Sequence, residues 1–209
     1  MYTSSDTKSP LLDLGGHTLN INFHNGAWQI FTSLATNGNI VVTGDGVFNL
    51  EKNGAIDCST CSFDISSKLN IDCGDLTMAD LAVRCPEGYV TGGKLSSPIK
   101  VKGRFTPATR YFPSVQLQDG ATLDISGYNV TWPTASLVAN CALSFAEDAS
   151  VTLALGERTL NIRQLVEWPE DAPPAGVDTL SVKCDRPRVS LEIRGDGIYN
   201  ASGMVILVR

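Results

Sequence analysis

Hydrophobic and polar residues alternate in short runs through most of this 209-residue chain. Residues 12–21 read LDLGGHTLNI, with apolar residues in the first, third, eighth and tenth places and two glycines between the halves. Alternation with a period of two predicts β-strands with one buried face, and the glycines predict a turn. We therefore expect residues 12–21 to form a strand, a turn and a second strand.

Segments with this pattern recur along the sequence. Seven segments have an apolar first and third place and usually a glycine at the fifth; they begin at Leu12, Ile40, Leu69, Ile99, Leu123, Leu153 and Leu191. The first five steps between these starts are similar in length, and the last step is longer. If the segments stack, their third places form one buried column, which comprises Leu14, Val42, Ile71, Val101, Ile125, Leu155 and Ile193.

A regular period of short strands is typical of a solenoid, in which successive coils stack and share one core. We therefore predict an all-β chain folded as a parallel β-helix of about six to seven coils over residues 11–209. Residues 1–10 are interpreted as a flexible N-terminus or a remnant of the expression vector. An antiparallel β-sandwich, which also has short alternating strands, is the alternative fold.

The predicted solenoid is interrupted at residues 163–178. This segment has three prolines and four acidic residues, a composition that does not suit a strand. We expect it to leave the coil as a loop. Trp168 lies in this predicted loop, where an exposed indole could contact a ligand, so it is the candidate binding residue.

Charge and hydropathy limit the partners of the chain. Its net charge is -6, and it has no dense basic run that would neutralise phosphates, so we expect no nucleic acid partner. It also lacks a run of about 18 apolar residues, so we expect no membrane insertion of this segment. The last residues read as strand, and unpaired terminal strands would allow copies of the chain to associate.

The six cysteines are an even number, which favours disulfides in an exported protein. The separation of Cys58 and Cys85 along the chain is close to one predicted coil, so we expect a disulfide between neighbouring coils. The pairing of the other four stays open; these are Cys61, Cys73, Cys141 and Cys184.

A metal site is the alternative use of these cysteines. Cys58 and Cys61 have the CxxC spacing of zinc ligands, but the next two cysteines, Cys73 and Cys85, are not the second close pair that a structural zinc site usually has. We therefore predict no metal and no other cofactor.

Charged residues also occupy outward places of the repeated segments. If the segments stack, Asp72, Lys100, Lys102 and Asp124 form one mixed-charge patch on an exposed sheet face. Such groups could bind calcium or act as general acid and base on a sugar acid. A ladder of solvated ion pairs explains the same residues without catalysis, and we favour that interpretation and assign no catalytic residue.

Two phrases, LDLGGHTLNI at residues 12–21 and LQDGATLDISG at residues 117–127, resemble the β-strand repeats of autotransporter-like passenger domains. These domains are right-handed parallel β-helices of the pectate-lyase-like superfamily. The resemblance covers most of residues 12–162 and implies a bacterial protein that is secreted or displayed at the cell surface, often as an adhesin, a stalk or a carrier scaffold.

The sequence thus favours a non-enzymatic scaffold or adhesin-type module that presents a long surface to a glycan or to a host or cell-surface protein. The alternative is a carbohydrate-active enzyme, a polysaccharide lyase or hydrolase built on a β-helix. In that alternative the patch of Asp72, Lys100, Lys102 and Asp124 is the catalytic centre.

Overall fold

A computed structural model of the protein describes residues 12–23, 28–31, 35–44, 47–52, 55–66, 68–84, 90–92, 97–107, 114–126, 143–156 and 164–201. Within these residues the chain is all-β, apart from one 3-10 turn at Val177–Thr179. The strands form five sheets, and all strand pairs in four of these sheets are parallel. This confirms the all-β prediction and differs from the antiparallel sandwich considered as an alternative.

The largest sheet has eight parallel strands, whose order in space follows their order in the chain. Its strands are β2 (Thr18–Phe23), β5 (Gly38–Gly44), β8 (Cys61–Ile65), β11 (Leu81–Val83), β14 (Arg104–Pro107), β16 (Thr122–Asp124), β18 (Ser150–Ala154) and β20 (Ser181–Cys184).

Three further parallel sheets accompany it. The five-stranded sheet contains β7 (Ile56–Cys58), β10 (Leu76–Met78), β13 (Ile99–Val101), β15 (Val115–Leu117) and β17 (Leu143–Phe145). The four-stranded sheet contains β3 (Trp28–Phe31), β6 (Val47–Lys52), β9 (Lys68–Cys73) and β12 (Val90–Gly92). The two-stranded sheet contains β1 (Leu12–Asp13) and β4 (Ala35–Thr36).

The chain visits the three larger sheets in a repeating order. From β7 it passes to β8 in the eight-stranded sheet, to β9 in the four-stranded sheet, and back to β10 in the five-stranded sheet. The next round follows the same order through β11, β12 and β13. Each strand therefore lies beside the equivalent strand of the previous round, which is a β-helix-like arrangement of stacked parallel sheets.

The residues that stack are spaced differently from the prediction. Leu81 lies beside Phe63 of the previous round and Phe105 of the next, and the second of these intervals along the chain is the longer one. The interval between the stacked residues Leu123 and Leu153 is longer still. Because the connections between strands differ in length, the number of residues in one round varies, and a constant step does not describe it.

The single buried column that we predicted is consequently wrong. Val42 lies in the eight-stranded sheet, Ile71 in the four-stranded sheet and Val101 in the five-stranded sheet. Ile193 is only half-buried and belongs to an antiparallel sheet. The alternating pattern is the same on every face of the stack, so the pattern identified strands correctly but could not assign them to a face.

The inward side chains of the parallel sheets form one hydrophobic core. Alternate residues are buried in many of the short strands, as in β8, where the first, third and fifth side chains are inside. Leucine, isoleucine, valine and phenylalanine fill most of these positions, and their removal from water is the main stabilising contribution. Most of the side chains between them are partly or fully exposed, although Ser144 is buried.

The C-terminal region has a different sheet. Strands β19 (Gln164–Glu167), β22 (Gly197–Asn200) and β21 (Leu191–Arg194) are antiparallel and pair in that order. The predicted loop 163–178 therefore begins with a strand. The residues after it lie against the last strands of the stack, since the Phe145 N–H donates to the Ala175 carbonyl at 2.8 Å.

Candidate functional site

Polar side chains line a shallow groove on the outer face of the eight-stranded sheet, across β2 to β14. Its volume is about 340 Å³, which is within the usual size range of small-molecule sites. The polar residues that line it are Thr18, Asn39, Ser62, Asp64, Asp80, Arg84, Arg104 and Thr106. Most of them are outward residues of strands whose inward residues belong to the core, and Asp80 and Arg84 flank β11.

The register of the sheet brings these residues together. Asn39 lies beside Thr18 on one side and Ser62 on the other, and its amide donates to the Thr18 hydroxyl at 3.4 Å. Asp80 accepts from the Ser62 hydroxyl at 2.7 Å and from the Arg104 backbone N–H at 2.5 Å. Parallel strands are about 4.8 Å apart, so one polar group per strand produces a regular row of hydrogen-bonding positions.

Two arginines of the groove are held by carboxylates on neighbouring strands. The Arg84 Nε lies 2.9 and 3.0 Å from the two Asp64 carboxylate oxygens. The Arg104 Nη1 lies 2.5 Å from an Asp124 carboxylate oxygen. Both arginine side chains remain about half exposed, at 51% and 55%. A guanidinium has five N–H donors, so these oriented side chains retain further donors that can reach a ligand.

Asp124 supports the groove from beneath Arg104. Its side chain is 11% exposed, and one oxygen accepts from the Ser126 hydroxyl at 2.6 Å and the Ser126 N–H at 3.0 Å. Burial by itself would raise the pKa of Asp124, but the bonds from Ser126 and Arg104 outweigh it and hold this pKa below its usual value. Asp124 is therefore a carboxylate at neutral pH and positions Arg104; it has no proton to give as a general acid.

The predicted mixed-charge patch is not assembled on one sheet. Asp72 lies in the four-stranded sheet, Lys100 in the five-stranded sheet and Asp124 in the eight-stranded sheet, while Lys102 follows β13 at a corner. The Lys100 Nζ is 3.6 Å from Asp75 and so pairs within its own neighbourhood. The prediction of one patch was wrong because it equated outward places of segments that belong to different faces.

Trp168 is not the exposed platform that the sequence suggested. It is 2% exposed, its indole N–H donates to the Gly195 carbonyl at 2.9 Å, and its backbone N–H donates to the Asp196 carbonyl at 3.0 Å. It lines a second cavity of about 430 Å³, whose charged residues are Glu170, Asp178 and Arg194. Trp168 therefore packs in the hydrophobic core, is bonded to the antiparallel sheet, and forms part of the wall of this cavity.

The cysteines also differ from the expected arrangement. In the described structure Cys58 and Cys61 are buried free thiols and Cys184 is a half-buried one, whereas Cys85 and Cys141 lie outside the described residues. The residue that stacks on Cys58 is Met78, which precedes Cys85 in the chain. The separation of Cys58 and Cys85 along the chain therefore did not predict which residue lies beside Cys58 on the next coil. Cys73 is buried at another corner of the stack.

The sequence analysis missed most of the groove. Ser62, Asp80, Arg84 and Arg104 were not singled out, although each is a polar residue beside a buried apolar one. That alternation predicts an outward direction for each side chain, but only the register shows which of these side chains are neighbours. Acidic and basic residues at matching outward positions could be found only if the number of residues in each coil were known. The sequence does not show that number.

Within the described ranges, no group of three histidine, cysteine, aspartate or glutamate side chains is arranged to hold a metal ion. The same residues include no helix with the length and hydropathy needed to cross a membrane. In comparisons with known proteins, no family model, curated protein or solved structure matches the chain.

Proposed function

We propose that this protein is a parallel β-helix that acts as a non-enzymatic binding scaffold, with a glycan as the ligand of the groove on its eight-stranded sheet. In this proposal it is secreted or displayed at a bacterial cell surface, as autotransporter-like passenger domains are. The eight strands of the largest sheet are joined by seven connections, which supports a helix of about six to seven complete coils. The groove is the observation that carries the proposal.

The chemistry of the groove suits an uncharged, hydroxyl-rich ligand. Hydroxyl and amide groups of Thr18, Asn39 and Ser62 lie side by side on three neighbouring strands. The two arginines of the groove are already paired with carboxylates. A glycan offers many donors and acceptors without the charge that would disturb these pairs. Because equivalent positions recur on successive strands, a linear polymer running along the stack would meet similar groups repeatedly.

The same geometry supports binding in preference to turnover. Both carboxylate oxygens of Asp80 accept hydrogen bonds, and Asp124 is ionised and engaged by Ser126 and Arg104. A general acid must carry a proton at the working pH, and Asp124 does not. These groups orient donors on a rigid sheet, which lowers the entropic cost of binding a flexible ligand.

The test is a glycan array with the purified wild-type protein and two groove variants, Arg84→Gln and Ser62→Ala. Each variant removes hydrogen bonds, so we expect affinity for the bound glycan to fall about tenfold. Arg194→Gln is the matched control, because Arg194 is a similarly exposed and ion-paired arginine in the antiparallel sheet. The control should bind the glycan as the wild type does.

A reducing-sugar assay and an unsaturated-uronide assay on the same polymers test the enzymatic alternative. Turnover that disappears in Asp124→Ala or Lys100→Ala would contradict a non-enzymatic scaffold. Equal loss of glycan affinity in Arg84→Gln and Arg194→Gln would show that the glycan does not bind specifically in the groove. If the protein binds no glycan on the array, the proposal that the ligand is a glycan is wrong.

A further inference from the structure

Two buried cysteines flank one tight corner of the stack. Strand β7 ends at Cys58 and strand β8 begins at Cys61, with Ser59 and Thr60 forming the turn between them. Both cysteines are 0% exposed, so both side chains enter the core from the same corner. The corner is fixed by one shared donor, since the Ala79 N–H donates to the Cys58 carbonyl at 3.2 Å and to the Cys61 carbonyl at 3.1 Å.

The turn gives these two residues the separation that a disulfide needs. The first and fourth residues of a β-turn have Cα atoms less than about 7 Å apart, and disulfides usually join Cα atoms about 4.4–6.8 Å apart. Cys58 and Cys61 hold the first and fourth places of this turn. We therefore propose that Cys58 and Cys61 are the disulfide site of this corner, oxidised when the chain folds in an oxidising compartment.

Cys73 is the competing partner among the described residues. It is also buried, but it lies at the corner between β9 and β10, before the strand Leu76–Met78 begins. Met78 is the residue of that strand that pairs with Cys58. The length of β10 therefore separates Cys73 from Cys58, whereas two turn residues separate Cys61 from Cys58. The geometry favours Cys61.

The oxidant is a small or protein disulfide, such as oxidised glutathione. One cysteine thiolate attacks a sulfur of the oxidant, forms a mixed disulfide and releases the first oxidant thiol. The second cysteine thiolate then attacks the cysteine sulfur of the mixed disulfide, forms the bond between Cys58 and Cys61, and releases the second oxidant thiol. The two protons lost by the cysteines appear on the two released thiols, so the oxidant is reduced and the protein oxidised by two electrons.

This exchange belongs to the folding stage. Burial raises the pKa of Cys58 to about 12 and also raises the pKa of Cys61, so the folded protein holds little thiolate at either position. Neither sulfur is accessible once the corner has closed. The bond would fix the corner next to Ser62, whose hydroxyl holds the groove carboxylate of Asp80.

Refolding of the denatured, reduced wild-type protein with oxidised glutathione tests the inference. Free thiols are then alkylated in denaturant, and the protein is digested with trypsin. Cleavage after Lys52 and Lys68 releases peptide 53–68, which contains both Cys58 and Cys61, so one peptide reports on both. We expect this peptide to be two hydrogen masses lighter than its reduced form and to carry no alkyl group.

Three controls complete the experiment. Protein refolded under reducing conditions should give peptide 53–68 with both cysteines alkylated, and Cys61→Ser should abolish the internal bond. Cys184→Ser, which changes a half-buried cysteine elsewhere, should leave the bond intact. Full alkylation of Cys58 and Cys61 after oxidative refolding would overturn the proposal. A bond from peptide 53–68 to residues 69–84 or 85–94 would overturn it as well, because those peptides contain Cys73 and Cys85.

Discussion

Charged side chains are held in two different ways in the eight-stranded parallel sheet and in the C-terminal antiparallel sheet. In the parallel sheet, Arg84 and Arg104 each pair with an aspartate on the neighbouring strand, one round earlier or later in the chain. In the antiparallel sheet, Arg194 pairs with Glu192 on the same strand. The groove therefore depends on the stacking of successive strands, whereas the hairpin holds its charges locally.

Because of this difference, we expect mutations in the two sheets to have different effects on the groove. A change that shifts one parallel strand against its neighbour alters several groove contacts together, because each contact joins two strands. A change in the antiparallel sheet should alter stability without altering the groove. Variants that change both regions to the same extent would contradict this separation, and variants that change one region alone would support it.

The largest effect is expected from loss of a core ring in either region. Phe105→Ala and Trp168→Ala should each lower the free energy of unfolding by about 3–5 kcal/mol, because each leaves a cavity in a packed core. Phe105 is next to Arg104, so its variant should also weaken glycan binding by the remaining folded protein. Trp168→Ala should leave that affinity unchanged. Urea denaturation and binding at low temperature measure the two quantities.

Phe105→Leu is the control for the parallel sheet, since it keeps an apolar side chain and should recover part of the stability. A loss below about 1 kcal/mol for both alanine variants would show that the Phe105 and Trp168 rings do not pack in the core. Equal loss of glycan affinity in Phe105→Ala and Trp168→Ala would contradict the separation of the two regions.

The second prediction concerns two glycines with nearly the same backbone. Gly176 has a φ of 82° and Gly120 a φ of 79°, and both angles are unfavourable for alanine. A Cβ on Gly176 would meet the Phe145 carbonyl, whereas a Cβ on Gly120 meets no described atom within 4 Å. Gly120→Ala should cost about 1 kcal/mol, and Gly176→Ala about 2–3 kcal/mol.

Thermal and urea unfolding of Gly120→Ala and Gly176→Ala give the comparison directly. The difference between them isolates the contact of the C-terminal segment with the last strand of the five-stranded sheet. Equal costs would mean that this segment does not lie against Phe145.

The sequence predicted strands well and their neighbours poorly. Alternation identified β2, β5 and β16 as strands because burial on one face has a period of two in any sheet. It could not give the register, because Phe63, Leu81 and Phe105 stack at unequal spacings set by the connections between strands. The groove was missed for the same reason, since Arg104 and Asp80 become neighbours only through that register.

Trp168 shows a different limit of the sequence. The prolines and acidic residues around it predicted a loop, but the segment begins with strand β19, and composition does not tell whether such a segment points outward or packs back. In the structure, the indole donates to Gly195 and covers the core, because a buried indole N–H finds a backbone acceptor there. Local composition therefore did not predict the environment of Trp168.

The third prediction is the pH dependence of the Asp124 contribution. The pKa of Asp124 is lower in the folded protein, so the unfolded state binds more protons as the pH falls. Its stabilisation is complete above the usual aspartate pKa of about 3.9 and is lost as the pH falls through the lower folded value. Asp124→Asn should cost about 1 kcal/mol at neutral pH, and this cost should vanish in acid.

Urea denaturation of the wild type and Asp124→Asn, from about pH 7 to about pH 3, follows this difference. Ser126→Ala removes one of the bonds that lower the pKa and should show a smaller change of the same sign. A cost for Asp124→Asn that stays constant over the whole range would contradict an ionised Asp124 in the fold.

The smallest effects are expected for the exposed ion pairs, and they compare the two regions most directly. Arg84 contacts both oxygens of Asp64 across strands, and Arg194 contacts one oxygen of Glu192 within a strand. Double-mutant cycles with glutamine and asparagine should give coupling free energies between about 0.2 and 1 kcal/mol, because both pairs are exposed. The Arg84 pair should lie at the upper end, since its Nε lies within hydrogen-bond distance of both Asp64 oxygens, whereas Arg194 contacts one oxygen of Glu192. Salt at about 1 M should reduce both coupling free energies. A coupling that does not depend on salt, or a larger coupling for the Arg194 pair than for the Arg84 pair, would show that pairing across parallel strands does not strengthen an ion pair.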